Sequence, residues 1–243
     1  MRRLLVLWDI DYTLVNARGV GSELYTRVFT ARYGRPLPQP GSMAGRTDRA
    51  IAREVLALAG LDELDQELQL FQDALNAAAP SFAARARQVV SPLPGAGAAL
   101  AGLAALAPDG TDGAGGPGAG PVIQSLLTGN IRPMAEIKLA AAGLTRHLDL
   151  EVGSYGDQHE IRAELVAPAR AAAAAAYGQD FGGTATVLIG DTPLDVAAAL
   201  ATGARAVGVA TGHFSTADLA AAGAHAVLPD LTGTAAVVSA ILG

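Results

Sequence analysis

Two aspartates stand directly after a short, strongly apolar segment near the start of the sequence. Residues 4–8 are apolar throughout, and Asp9 and Asp11 follow them. Two carboxylates this close cannot comfortably both stay ionised without a cation, so either one is protonated or a metal ion lies between them. Oxygen ligands suit a hard divalent ion, above all Mg²⁺. The alternative is that the two aspartates only cap the turn after a strand.

A second pair of carboxylates follows another apolar segment, residues 186–189. Asp191 leaves that segment and Asp195 lies about one helical turn later, so both side chains can face the same crevice. Taken alone, Asp195 is also explained as a residue that complements a helix N-terminus. Helix capping explains four carboxylates at two strand ends poorly, and open α/β sheets bind ligands at the carboxyl ends of their strands. We therefore predict a metal or ligand site at these strand ends.

A third polar motif closes the apolar segment 122–127. It consists of Thr128, Gly129 and Asn130. A threonine hydroxyl and consecutive backbone amides, with a glycine that allows close approach, can hold an anionic oxygen. Alone, the motif is equally a common turn.

The elements that must position these motifs alternate between apolar strands and alanine-rich helices. Strands are predicted at residues 4–8, 122–127, 186–189, 206–210 and 226–228, and helices at about 95–106, 133–142, 162–176, 193–202 and 232–242. Continuous apolar runs suit a parallel sheet that is covered on both faces. The alternation predicts an α/β fold with a doubly wound parallel sheet and right-handed crossovers.

Residues 16–90 interrupt this alternation. They contain no convincing strand, and helices are predicted near 20–33, 48–59, 62–78 and 81–88. The sequence therefore predicts an α/β catalytic core from residues 1–15 and 91–243, and a small all-helical domain from residues 16–90. The glycine-rich segment 108–121 precedes a strand rather than following one, so we interpret it as a connector and not as a phosphate-binding loop.

The composition of the 243 residues excludes several classes of protein. Cysteine is absent, which rules out disulfide scaffolds, thiol nucleophiles and cysteine-bound zinc. The net charge of −6 argues against a dedicated nucleic-acid or anionic-membrane binder. No uncharged run of about 18 strongly apolar residues is present, and acidic residues arrive before a signal-type core could form. We expect a cytoplasmic protein without nucleic-acid or membrane partners, whose oligomeric state cannot be read from its sequence.

The three motifs occur in the order Asp-x-Asp-x-Thr, Thr-Gly-Asn and Gly-Asp-x-x-x-Asp, and each closes a predicted strand. In this the chain resembles the haloacid dehalogenase-like hydrolases over essentially its whole length, including a helical cap of the first type after the first motif. The resemblance implies a Mg²⁺-dependent phosphatase, similar to phosphoglycolate phosphatases. Its substrate would be a small phosphorylated metabolite, a phosphomonoester that is hydrolysed through an aspartyl-phosphate.

The resemblance also implies a role for each motif. Asp9 would be the nucleophile, and Asp11 would protonate the leaving oxygen and then activate water. Mg²⁺ would be held by the carboxylate of Asp9, the backbone carbonyl of Asp11 and the side chain of Asp191, with Asp195 helping directly or through water. Thr128 and the amides of the two residues after it would orient the phosphoryl oxygens.

The catalytic cation is where this chain departs from the family pattern. Family members usually offer a lysine shortly before the helix that precedes the Gly-Asp motif, and this chain has Arg162 there. Lys138, the only lysine beside 16 arginines, lies on the helix after the Thr-Gly-Asn motif. Position favours Arg162 and residue type favours Lys138. We expect Arg162 to serve Asp9 and keep Lys138 as the alternative.

Specificity in such enzymes comes from the cap, and residues 45–48 form its best candidate loop. Arg46 could meet an acidic group of the substrate, or the loop could be a helix N-terminus capped by Thr47 or Asp48. The nearest alternative function is a phosphotransferase or sugar-phosphate mutase, but those relatives carry a histidine where this chain has Gly21. A non-catalytic binding or regulatory protein on the same fold is the other alternative.

Overall fold

A parallel sheet of five strands forms the centre of the protein in a computed structural model, which describes residues 3–106 and 121–243. In spatial order the strands are β4 Val122–Leu126, β1 Leu4–Trp8, β5 Thr186–Gly190, β6 Arg205–Val209 and β7 Ala226–Leu228. The predicted α/β fold with a parallel sheet between helices is confirmed. Residues 108–120 of the glycine-rich segment interpreted as a connector lie outside the described residues.

Side-chain alternation along β1 explains why both faces of the sheet are covered. Val6 and Trp8 contribute to a core shared with the helices of residues 16–90, whereas Leu5 and Leu7 point into a second core on the opposite face. All four side chains are fully buried, and each contributes about 1.5–3 kcal/mol of hydrophobic stabilisation. Because both faces of β1 are covered by apolar cores, the polar residues that follow the strand can reach a cavity only beyond its carboxyl end.

Helices flank the sheet and form the insert, which we call the helical insert (residues 16–90). The insert contains α1 Val20–Tyr33, α2 Asp48–Leu58, α3 Leu64–Ala78 and α4 Ala83–Val89. Around the sheet lie α5 Ala96–Ala104, α6 Arg132–Ala142, α7 Val166–Tyr177, α8 Pro193–Ala201, α9 Thr216–Ala221 and α10 Thr234–Leu242. In the part of the chain that is described, no helix is both long and apolar enough to cross a membrane.

Two helices differ from the sequence prediction, α9 because it is short and α7 because of a proline near its start. The short helix α9 was not predicted; it begins with a reciprocal capping box between Ser215 and Asp218. A helix was predicted to begin at Arg162, but Arg162–Leu165 forms a 3₁₀ turn and α7 begins only at Val166. Pro168 has no backbone N–H to donate, so an α-helix can hold it only in its first turn.

A two-stranded antiparallel ribbon pairs the segments at the two ends of the helical insert. It pairs β2 Val15–Asn16 with β3 Ser91–Pro92, and strands of two residues leave no periodic pattern that a sequence could reveal. The division into residues 1–15 with 91–243 and residues 16–90 stays a prediction, and this ribbon lies at its two junctions.

Candidate active site

The carboxyl ends of three neighbouring strands bring the three polar motifs together. Strand β1 lies between β4 and β5, so the residues that follow these strands share one edge of the sheet. Backbone hydrogen bonds extend this arrangement past the strands: Asp9 N donates to Ile189 O at 2.8 Å, and Leu127 N donates to Trp8 O at 2.9 Å. Asp9, Thr128 and Asp191 are all buried there.

Three of the predicted metal ligands form a tight group. Asp9, Asp191 and Asp195 are buried and offer carboxylate oxygens that all lie within 4.8 Å of one another. Burial raises the pKa of Asp9 to about 6, with Arg162 opposing this and Asp195 adding to it. Burial, and then repulsion from Asp9 and Asp195, raises the pKa of Asp191 to about 8. A hard divalent cation fits this donor set, since it would relieve the repulsion between the three carboxylates.

Neighbouring hydroxyl groups orient two of these carboxylates. Thr13 Oγ1 donates to Asp191 Oδ1 at 3.5 Å. Thr192 donates to Asp195 Oδ2 through its backbone N at 3.0 Å and its hydroxyl at 2.7 Å, in the capping box that begins α8. Asp195 therefore caps a helix with one oxygen and faces the site with the other. The two interpretations of Asp195 from the sequence, as a residue of the site and as a residue that complements a helix N-terminus, are therefore compatible.

Arg162 links two of the three carboxylates. Its Nη2 lies 2.8 Å from Asp9 Oδ1 and 2.6 Å from Asp195 Oδ1. It also donates to the carbonyls of Leu127 at 3.0 Å and Gly45 at 3.2 Å. Burial opposes the charge of Arg162, but Asp195 and Asp9 outweigh it and raise the pKa of the guanidinium. Arg162 is thus held as a permanent cation beside Asp9.

Lys138 also lies in the site, but it contacts a different aspartate. Its Nζ lies 2.6 Å and 2.9 Å from the two carboxylate oxygens of Asp11 and 2.5 Å from Asn130 Oδ1. The two candidate cations are therefore divided between the two aspartates of the first motif. Arg162 lies beside Asp9, and Lys138 lies beside Asp11. Which of them turnover requires stays a prediction.

The Thr-Gly-Asn motif is tied both to Asp11 and to the helical insert. Asn130 Nδ2 donates to Thr128 Oγ1 and to Asp11 Oδ2, each at 2.8 Å. Gly129 O accepts from Asp48 N at 2.7 Å, and a Cβ on Gly129 would collide with the backbone carbonyl of Arg46. Glycine is required here because the insert approaches the motif so closely. The predicted phosphoryl-binding role of residues 128–130 remains a prediction.

The predicted specificity loop, residues 45–48, leads into α2 and also lines the cavity. Thr47 Oγ1 accepts from Ala50 N at 3.2 Å and caps α2, which is the alternative considered for residues 45–48. Arg46 lines the cavity, but its guanidinium pairs with Glu54 and donates to two backbone carbonyls. Contact between Arg46 and an acidic substrate group stays a prediction, and Glu54 would compete for that contact.

The strand ends and the helical insert enclose a cavity of about 420 Å³. Its wall includes Asp9, Asp11, Lys138 and Arg162 from the core and Arg18 from the insert. A volume of this order lies at the small end of ligand-binding cavities. The cavity is therefore large enough to hold a small metabolite.

Two cavity-lining residues were missed or dismissed in the sequence analysis. Asp48 Oδ2 accepts from Ile131 N at 2.7 Å, which ties α2 to the core, and burial raises the pKa of Asp48 to about 6. His213 was not among the predicted site residues, but its ring lies 5.1 Å from that of Tyr12 at the cavity wall. The available signal for His213 was its position shortly after a predicted strand. Asp48 was considered only as a helix cap.

Comparison with known proteins identifies the family. The sequence matches the model of the haloacid dehalogenase-like hydrolases over residues 6–200. The chain therefore belongs to the haloacid dehalogenase-like hydrolase family, and it is a hydrolase with the α/β core of that family. A search of curated proteins found no match.

Solved structures share the fold over nearly the whole chain. A hydrolase from Pseudomonas syringae is 19% identical, covers 98% of each chain and superposes with a TM-score of 0.65. A predicted phosphatase from Clostridium acetobutylicum is 17% identical, with 98% of this chain and 100% of that chain covered and a TM-score of 0.65. A predicted phosphoglycolate phosphatase from Haemophilus somnus is 15% identical, with coverage of 98% and 99% and a TM-score of 0.63. At these identities the likeness concerns the fold alone.

Proposed function

We propose that the protein is a Mg²⁺-dependent phosphatase that hydrolyses a small phosphomonoester through an aspartyl-phosphate on Asp9. The observation that carries this proposal is the position of Asp9. Its buried carboxylate lies 2.8 Å from a permanent cation, Arg162, within a group of three carboxylates and on the wall of a small cavity. Such a site holds a carboxylate nucleophile and can compensate the negative charge of a phosphoryl group.

Asp9 would attack the phosphorus atom with one carboxylate oxygen. The bond between phosphorus and the ester oxygen breaks, and the leaving oxygen takes a proton. Arg162 would hold the Asp9 carboxylate in place and pair with phosphoryl oxygens, for which its planar group with several donors is well suited. Covalent catalysis of this kind replaces one difficult displacement with two easier ones.

Asp11 would serve as the acid and base of the two steps. It would give a proton to the leaving oxygen and then take one from the water that attacks the aspartyl-phosphate. Its carboxylate lines the cavity, so it can reach both the leaving group and the water. The chain has Gly21 where related mutases carry a histidine, so we propose water and not a sugar hydroxyl as the acceptor.

The metal-binding residues would be Asp9, Asp191 and Asp195, with the carbonyl of Asp11 as a further ligand. When bound, the ion would neutralise charge on both the nucleophile and the phosphate. The substrate we propose is a small phosphorylated metabolite, since the cavity is small and the family is one of hydrolases.

The experiment that tests the function is to trap the phosphoenzyme. In Asp11→Asn, an aryl phosphate should still phosphorylate Asp9, because its leaving group needs little protonation, whereas hydrolysis of the intermediate should slow by about 100-fold or more. Mass spectrometry of the quenched protein should find the adduct on the peptide containing Asp9. Wild-type protein, quenched in parallel, should show much less. An adduct on another residue, or none in either protein, would contradict the proposal.

Arg162→Ala should lower kcat at least about 100-fold, the usual effect of removing one donor that stabilises the transition state. We expect Lys138→Ala to cost less, because Lys138 does not contact Asp9. Steady-state hydrolysis of p-nitrophenyl phosphate measures both. Arg85→Ala is the matched control, since Arg85 pairs with Glu23 on the surface of the insert, and it should leave kcat unchanged. A larger loss in Lys138→Ala than in Arg162→Ala would reverse the assignment.

A further inference from the structure

Lys138 is a buried ammonium group with a complete set of partners. Only 4% of its side chain is exposed, and it is the one lysine in a chain with 16 arginines. Burying an ammonium group costs several kcal/mol unless acceptors compensate it. Here three acceptors do so: both carboxylate oxygens of Asp11, at 2.6 Å and 2.9 Å, and Asn130 Oδ1 at 2.5 Å. An ammonium has three protons, so each proton has an acceptor.

Asn130 completes a closed network around Asp11. While its Oδ1 accepts from Lys138, its Nδ2 donates to Asp11 Oδ2 at 2.8 Å. The carboxylate of Asp11 therefore receives hydrogen bonds from two side chains at once. Its own side chain is about one-third exposed, so without these contacts it would be free to rotate within the cavity. The network fixes the orientation of a carboxylate that burial alone does not hold.

The contacts of Lys138 separate its role from that of Arg162. Arg162 contacts Asp9 and Asp195, whereas the polar contacts of Lys138 in the described part of the chain go to Asp11 and Asn130. A Cβ on Gly21 would lie 3.8 Å from Nζ, so the first turn of α1 closes one side of the space around the ammonium. Lys138 has no unused proton for a phosphoryl oxygen while this network persists.

We infer that Lys138 is a positioning residue that acts on the reaction through Asp11, with Asn130 as its partner. This inference rests on the proposed function, in which Asp11 is the acid and base. The ammonium and the amide hold the Asp11 carboxylate towards the cavity, where it meets the leaving oxygen and later the water. Arg162 beside Asp9 is thereby supplemented by a second cation, Lys138, that serves the other aspartate.

A double-mutant cycle tests this inference. The four proteins are wild type, Asp11→Asn, Lys138→Met and the double variant, and the measurement is kcat for p-nitrophenyl phosphate with Mg²⁺, because kcat includes hydrolysis of the aspartyl-phosphate. Asp11→Asn should lose about 100-fold or more, as expected for a general acid and base. Lys138→Met should lose about 10- to 30-fold, since small misplacements of a catalytic group carry costs approaching 100-fold. The double variant should match Asp11→Asn within about threefold, because Lys138 has nothing left to position.

The inference would be overturned if the loss in the double variant equalled the product of the losses in the two single variants, since Lys138 would then act on the substrate directly. The Kd of inorganic phosphate, measured by calorimetry in the presence of Mg²⁺, gives an independent readout. Its Kd should change by less than about threefold in Lys138→Met, whereas a greater weakening would mean direct contact with phosphate and would also overturn the inference. Glu136→Gln, on the same helix and paired with Arg132 at the surface, is the control and should behave as wild type.

The same set of proteins distinguishes a folding defect, or a failure of the proposed function, from a failure of the inference. Thermal unfolding checks each variant, and Lys138→Gln replaces Lys138→Met in the cycle if the latter does not fold. If Asp11→Asn itself keeps wild-type kcat, the proposed acid and base role fails, and the inference fails with it. If Asp11→Asn is impaired as expected and the losses multiply, the inference alone fails and the proposed function stands.

Discussion

Asp9→Asn should lower the turnover of phosphomonoesters by at least about 10⁴-fold, because loss of a covalent nucleophile costs up to about 10⁶-fold in well-studied hydrolases. The asparagine side chain has nearly the same shape but cannot form the aspartyl-phosphate. The fold should persist, since Arg162 keeps its contact with Asp195 Oδ1 at 2.6 Å. Hydrolysis of p-nitrophenyl phosphate measures the loss, and thermal unfolding checks the fold.

A matched control for this substitution is Asp73→Asn. Asp73 lies on α3 of the helical insert, where its carboxylate accepts from Gln69 at 2.9 Å on the surface. Its substitution makes the same chemical change far from the cavity and should leave turnover unchanged. If Asp9→Asn retained more than a few per cent of the activity, Asp9 would not be the nucleophile.

Removal of divalent metal should abolish turnover, and Asp191→Asn should raise the concentration of Mg²⁺ that turnover requires. Burial and repulsion from Asp9 and Asp195 raise the pKa of Asp191 to about 8, so the three carboxylates strongly favour a bound cation. Activity should disappear in EDTA and return when Mg²⁺ is added in excess. Activity that is equal with and without metal would refute the metal site.

A thermal-shift titration measures the same site without turnover. A ligand that binds only the folded protein stabilises it by about 2.7 kcal/mol at a concentration of 100 times Kd. Mg²⁺ should therefore raise the Tm of wild type, and the same concentration should raise the Tm of Asp191→Asn much less. Asp218→Asn, in the exposed capping box of α9, is the control for substitution of an aspartate and should keep the wild-type response to Mg²⁺.

The strands and the positions of the three motifs could be predicted because they depend on local patterns. A run of apolar residues such as 4–8 reports burial on both faces of a sheet, and the residue after such a run must leave the strand. For this reason Asp9, Thr128 and Asp191 were expected at strand ends, and all three lie there. Periodicity likewise predicted most helices to within a few residues, with Arg162 and the start of α7 as the clearest difference.

The ribbon between β2 and β3 and the role of Asp48 could not be predicted in this way. Strands of two residues are too short to show a period of two. Asp48 stands at the start of a helix, where an acidic residue is ordinary, and only the tertiary structure places the backbone N of Ile131 2.7 Å from its carboxylate.

The sequence limited which residues could form the site, whereas the packing of the chain set which of them contact each other. Residue types and spacing marked both Arg162 and Lys138 as candidate cations, but spacing carries no information about the direction of side chains on elements far apart in the chain. Placing β1 between β4 and β5 sets Arg162 beside Asp9 and Lys138 beside Asp11. The physical reason is that a buried ion pair depends on distances of a few ångströms between elements, and only the packing of the whole chain sets those distances.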